Sequence, residues 1–292
     1  MKHITILSAS ILFIVLLISC NRKENDSETR IIFLHHSTGL NIWGVENSIA
    51  TSVAFRVNLF YNFIGNRAAL PLMFKKYNEE QNTNYRIKKR PYPKKRPYGW
   101  YNGPYNYYNI WVKNAGDKPY MRQATLEMLT RDYDVIIFKH CYPVSNIRPD
   151  EESADINSTH KSMANYKLQY EALKNKMHDF PDTKFILFTG AAQVEMHIKE
   201  DQALRAKEFF RWVREEWDQS GDNIYLWDLY TLETEDGLYF KEEYASAPDD
   251  SHPNAEFSSR VNKLLFKRII DVIENDGKQT SLTGQKLIGD NL

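Results

Sequence analysis

Short apolar runs recur along this chain with helical patterns between them, and that alternation constrains its fold more than any other feature. The runs at 30–34 (Arg-Ile-Ile-Phe-Leu), 134–139 (Asp-Val-Ile-Ile-Phe-Lys), 184–189 and 224–229 are short and rich in branched and aromatic residues. They read as strands covered on both faces. Residues 109–112 read as a further strand. Helical patterns lie at 70–77, 121–130, 161–179 and 201–218. In the 161–179 segment Met163, Tyr166, Tyr170, Leu173 and Met177 share one stripe, and Pro181 stands beyond its end. A last helix over 255–274 places Phe257, Val261, Leu264, Leu265, Ile269 and Val272 near one face. Strands alternating with helices predict an α/β fold with a parallel sheet and helices on both faces. The 292 residues, 42% hydrophobic, suffice for one such domain, placed here at 30–275.

The flanks differ in kind. Lys2 and His3 precede an apolar stretch from Ile4 to Ile18, ended by Leu17-Ile18-Ser19-Cys20. This reads as a secretory signal over 1–19, too short for a comfortable spanning helix. Its last four residues resemble a bacterial lipobox. That resemblance implies cleavage before Cys20, lipid on its thiol and amine, and an extracytoplasmic anchor to a bacterial membrane. Residues 20–29 then read as a tether, and the polar stretch 276–292 as a flexible tail. Of the two cysteines only Cys141 would remain free, so no disulfide framework is expected.

Residues 83–109 interleave Arg86, Lys88, Lys89, Arg90, Lys94, Lys95 and Arg96 with Pro91, Pro93, Pro97 and seven tyrosines. Prolines at that density exclude a regular helix or a central strand, so the segment reads as an insertion over the domain surface. Lys+Arg and Asp+Glu balance at 38 each, which leaves no global field for a polyanion, and no nucleic-acid partner is expected.

In parallel sheets ligands bind outside the carboxyl ends of the strands. The loops there hold Ser37 in His-His-Ser-Thr-Gly (35–39), Gly116, the 140–146 stretch and Gly190. After the last strand comes Asp-Asp-Ser-His-Pro-Asn (249–254), with His252 at the mouth of the final helix and Pro253 suited to its first turn. A serine hydroxyl is a weak nucleophile until a base takes its proton, and an acid close to a histidine fixes the tautomer that can do so. Ser37, His252 and Asp249, with Asp250 as alternate acid, supply that set. Backbone N–H groups near Ser37 and Gly116 are candidate oxyanion donors. Blander roles exist for each: Ser37 as a helix cap, Gly116 as a turn glycine, and the acids as helix N-terminal charges. His35, His36 and His140 show no familiar ligand spacing, so no metal or other cofactor is expected. Cys141 reads as a small buried residue rather than a nucleophile.

Serine after the first strand, Asn-x-Gly at 114–116 and Asp-x-x-His-Pro at 249–253 resemble blocks I, II and V of the SGNH (GDSL-like) hydrolases. Block I is His35-His36-Ser37 in place of Gly-Asp-Ser, and Asn146 stands a few residues beyond the usual block III asparagine. The resemblance implies a flavodoxin-like α/β/α esterase. Ser37 would be nucleophile, His252 base and Asp249 its acid, with Gly116 and Asn146 in the oxyanion hole. With the lipobox, the expectation is a lipid-anchored serine esterase. Its partners would be the membrane, through Cys20, and an ester-bearing substrate such as an O-acetylated polysaccharide. A non-catalytic glycan-binding lipoprotein on the same fold and an acyltransferase using the same triad are the alternatives.

Overall fold

The structure is a computed structural model and describes residues 27–44, 68–94, 96 and 102–287. The signal, Cys20 and most of the tether lie outside the described residues. Among the described residues no helix is long and apolar enough to cross a membrane.

In chain order the elements are β1 (Thr29–His35), α1 (Thr38–Trp43), α2 (Ala69–Gln81), β2 (Tyr85–Pro91), α3 (Pro104–Tyr108) and α4 (Leu126–Asp132). Then come β3 (Val135–Phe138), α5 (Met163–His178), β4 (Lys184–Phe188), α6 (Glu200–Trp212), β5 (Ile224–Trp227) and α7 (Leu229–Thr234). A two-stranded antiparallel ribbon, β6 (Ala245–Ala247) and β7 (Asp250–Pro253), precedes α8 (Ala255–Asn275).

Five parallel strands form one sheet in the order β2-β1-β3-β4-β5. Ile31–Leu34 and Val135–Phe138 are buried without interruption, because helices cover both faces. One group of helices is α1, α2 and α8; the other is α3 and α5 with the segments packed on them. Right-handed crossovers on either side of β1 place the two groups on opposite faces, giving a three-layer α/β/α arrangement. The order reverses between β1 and β3, which opens a crevice outside their carboxyl ends.

α8 is the main buttress, with Phe257, Val261, Leu265, Ile269 and Val272 all buried. Each such side chain contributes about 1.5–3 kcal/mol of transfer free energy. The helix begins at Asn254, whose side chain accepts the Phe257 N–H, so Pro253 ends β7 rather than opening the helix.

Three expectations change. The 83–109 segment is not wholly an insertion: β2 runs beside β1 from Thr29↔Tyr85 to His35↔Pro91. The prolines exclude a central strand, but β2 is at the edge, and Pro91 closes it where a missing N–H is tolerated. Residues 109–112 are no strand. Gly103 and Pro104 open α3, and the chain continues through a π-helical turn, Asn109–Lys113, that buries Ile110 and Trp111. A short apolar run fits either conformation, and packing against α5 decides here. Finally, the start of the tail is tied back to α8. The Arg268 guanidinium donates to the Gly277 and Thr280 carbonyls, and the Asp271 carboxylate accepts the Gln279 and Thr280 N–H groups.

Candidate active site

β1 delivers Ser37 to the crevice. The Gly39 N–H donates to the His36 carbonyl at 2.9 Å, closing a tight turn with Ser37 at φ 46° and ψ −108°. This approximates the second residue of a type II′ turn, a position that favours glycine. Gly39 has its own steric reason: a Cβ there would stand 2.5 Å from the Cβ of His35. Ser37 occupies the N-cap position of α1, yet its side chain makes no capping bond. Its Oγ instead donates to His252 Nε2.

β7 delivers the other two groups. Asp250 Oδ1 lies 2.5 Å from His252 Nδ1 and also accepts the His252 backbone N–H at 3.0 Å. The carboxylate therefore holds the Nδ1–H tautomer and leaves the Nε2 lone pair to the serine hydroxyl. Asp250, not Asp249, is the acid. Alternate residues of an extended strand point the same way, so i and i+2 meet; spacing of three suits a helical turn. Asp249 is exposed and stands outside these bonds. The Asn41 side-chain amide donates to the Pro253 carbonyl at 3.0 Å, tying the helix after Ser37 to the strand bearing His252. Tyr142 packs edge-on against the His252 ring, with centroids 5.4 Å apart. The result is a serine hydroxyl beside an oriented, half-buried imidazole and an acid. That constellation can transfer an acyl group.

No family model matches this chain, and no curated protein or solved structure matches it either.

Gly116 is not brought to the triad. Its carbonyl accepts Thr125 Oγ1 at 2.5 Å, and neighbouring Glu127 pairs with Lys176 at 2.7 Å. Lys176 lies in the last turn of α5, shortly before β4 begins, so this cluster is at the amino end of the sheet. Its displacement follows from 109–113 being helical: Gly116 does not follow the carboxyl end of a strand. Asn146 does lie in the loop after β3, but its Oδ1 accepts the Gln193 amide at 2.7 Å and makes no contact with Ser37 or His252.

The loop that follows β2 instead contributes Asn102, which no sequence motif marks because the charged edge strand before it does not read as a strand. Its Nδ2 donates to the Tyr92 and Lys139 carbonyls, and its Oδ1 accepts the Cys141 N–H. Asn102 thus stitches the post-β2 and post-β3 loops together. The Gly103 N–H is likewise engaged, by Asn106 Oδ1 at 2.9 Å. The Ser37 N–H has no acceptor among the described residues.

Buried charge lies close behind the turn. Lys139 is fully buried, its Nζ 3.5 Å from the His36 carbonyl, and burial lowers its pKa. Burial pushes Glu233 up to about 8, with the Ala192 N–H and nearby Lys139 opposing that rise. Burial also holds both His35 and His36 below their ordinary range. The His36 ring lies 2.5 Å from the Pro93 carbonyl, while the His35 ring packs on Phe33. Among the described residues no three His, Cys, Asp or Glu side chains are grouped to hold a metal.

Proposed function

We propose that this chain is a serine esterase of SGNH type, anchored through lipid on Cys20 and acting on an ester borne by a carbohydrate. The observation that carries the reading is the relay Ser37 Oγ–His252 Nε2 with Asp250 on Nδ1. The 2-1-3-4-5 strand order, which is also that of flavodoxin-like sheets, and the placement of Ser37 after β1 support it. In the forward step Ser37 Oγ attacks the ester carbonyl carbon while His252 Nε2 takes the hydroxyl proton. Asp250 stabilises the imidazolium, and the Ser37 N–H donates to the oxyanion. Collapse of the tetrahedral adduct breaks the bond to the alcohol oxygen, which receives the proton from Nε2. Water then repeats the sequence on the acyl-enzyme and frees the acid. A hollow of about 500 Å³ lined by Asn102, Tyr105, Cys141, Pro143, Val144 and Tyr166 adjoins Tyr142. Its aromatic and apolar walls suit a sugar face or a short acyl group.

The full engagement of the Asn102 amide favours a second reading, a glycan-binding lipoprotein without turnover. Kinetics separate the two. The full-length protein is expected to release p-nitrophenol from p-nitrophenyl acetate, and Ser37→Ala to abolish that release. Asp250→Asn should lower kcat on the order of 10³–10⁴-fold, as loss of the orienting acid does in serine triads. Asp249→Asn should stay within about twofold, because Asp249 stands outside the relay. Equal rates in the parent and Ser37→Ala would remove Ser37 from the chemistry. An inactive parent that binds acetylated polysaccharide would favour the binding protein.

A further inference from the structure

A second hollow, of about 380 Å³, lies beside the first at the same end of the sheet. Its walls carry Arg148, Lys161, His197 and Lys199, with Asn146 and Gln202, and no carboxylate. Arg148, His197 and Lys199 are exposed in these walls. Arg148 and Lys161 are adjacent in space because the Arg148 N–H donates to the Lys161 carbonyl at 2.7 Å and residue 148 bridges to Ser162. Lys161 is half-buried, and its Nζ donates to the Pro143 carbonyl at 2.9 Å. Burial, and then the Arg148 charge, lower its pKa.

Three of the acids near in sequence have partners of their own. Asp150 accepts the Ala164 N–H, Glu151 faces His160, and Asp201 pairs with Arg205. Like charges brought together without a counter-charge repel, and an anion placed among them relieves that repulsion.

Position links this hollow to the triad. The 3₁₀ turn Tyr142–Ser145 carries Tyr142 against His252 at one end and leads to Asn146, in the basic hollow, at the other. At a rise of about 2 Å per residue the turn spans roughly 8 Å. Lys161 lines both the basic and the apolar hollow, so the two adjoin.

Resting on the esterase reading above, we infer that Arg148, Lys161, His197 and Lys199 form a subsite for an anionic substituent, a carboxylate or a sulfate, on the saccharide that bears the ester. Such a group would fix a neighbouring sugar while the ester lies at Ser37.

The test is a binding titration that needs no turnover. Full-length protein in neutral detergent, carrying Ser37→Ala so that nothing is hydrolysed, is titrated calorimetrically with hexagalacturonate, with a sulfated hexasaccharide and with neutral xylohexaose. One anionic oligosaccharide, or both, should bind at least about tenfold more tightly than the neutral one, and tightness should fall as salt is raised. Which of the two binds more tightly distinguishes carboxylate from sulfate. Arg148→Gln with Lys199→Gln should weaken that binding about tenfold or more, since each removes a charge-assisted contact. Circular dichroism checks that this double variant is folded. Anionic and neutral oligosaccharides binding alike, or a folded double variant binding as its parent does, would overturn the subsite. Because the readout is binding, loss of the esterase reading alone would leave anion binding intact with no p-nitrophenyl acetate turnover. Loss of the subsite alone would leave turnover without anion preference.

Discussion

Ser37 holds a backbone conformation, φ 46° and ψ −108°, that L side chains rarely adopt. Residues kept in such regions cost of order 1–3 kcal/mol and persist where the surroundings over-determine them. Here the surroundings are the 36–39 turn hydrogen bond, the close approach of Gly39 to His35 and the bond from Asn41 to Pro253. The strain lifts the hydroxyl out of its capping position and aims it at His252. Ser37→Gly is therefore expected to be more stable than Ser37→Ala by about 1 kcal/mol, since glycine takes positive φ at little cost. Urea unfolding of the two variants measures this difference without reference to activity. Equal midpoints and slopes would mean that the turn stores no strain.

At the scale of elements, α8 joins the site to the core. It starts two residues after β7 ends, packs along α1 and α2, and reaches β4 and β5. Leu265 is completely buried in its middle, so Leu265→Ala removes a core side chain and leaves a cavity. The expected loss is about 2–5 kcal/mol in urea unfolding. A loss below about 1 kcal/mol, within the range of surface substitutions or soft repacking, would mean that α8 does not bear on the core as described. β7 matters differently. Four residues of extended chain suffice to choose which carboxylate meets the imidazole.

For the whole molecule, two carboxyls held above their ordinary range contribute to the slope of stability against pH. Burial, with Asp222 as a like charge, raises Asp218 from 3.8 to about 6, and burial raises Glu233 from 4.5 to about 8. Both bind protons more tightly when folded than when unfolded. Their contribution is full below about pH 4 and is lost as pH rises through about 6 for Asp218 and about 8 for Glu233. Asp218→Asn removes the first of these losses. Its melting temperature relative to the parent should therefore be higher at pH 7 than at pH 4. Calorimetric scans across that range check it, and parallel curves for the two proteins would contradict the burial of Asp218. The same residue lines a hollow of about 990 Å³ at the amino ends of β4 and β5, far from the triad's end of the sheet. This hollow and the Ser37–His252–Asp250 constellation therefore occupy opposite ends of the fold.

Much of this architecture was legible in the sequence, because its causes are local. The apolar runs at 30–34, 134–139, 184–189 and 224–229 are strands since only a sheet covered on both faces buries them, and the stripe of α8 fixes which side it turns inward. Ser37 and His252 could be placed on one rim because strand ends in a parallel sheet share an edge. What the sequence left open depended on long-range pairing. β2 is charged and ends in proline, so its strand character appears only through its register with β1. Residues 109–113 are apolar enough for either conformation, and their helical choice carried Gly116 away from the site. Asp249 and Asp250 are chemically identical, and only the extended backbone of β7, held against β6, decides between them. Residue type and spacing determine which groups are available, whereas the direction in which each side chain points is set by backbone geometry that distant segments impose.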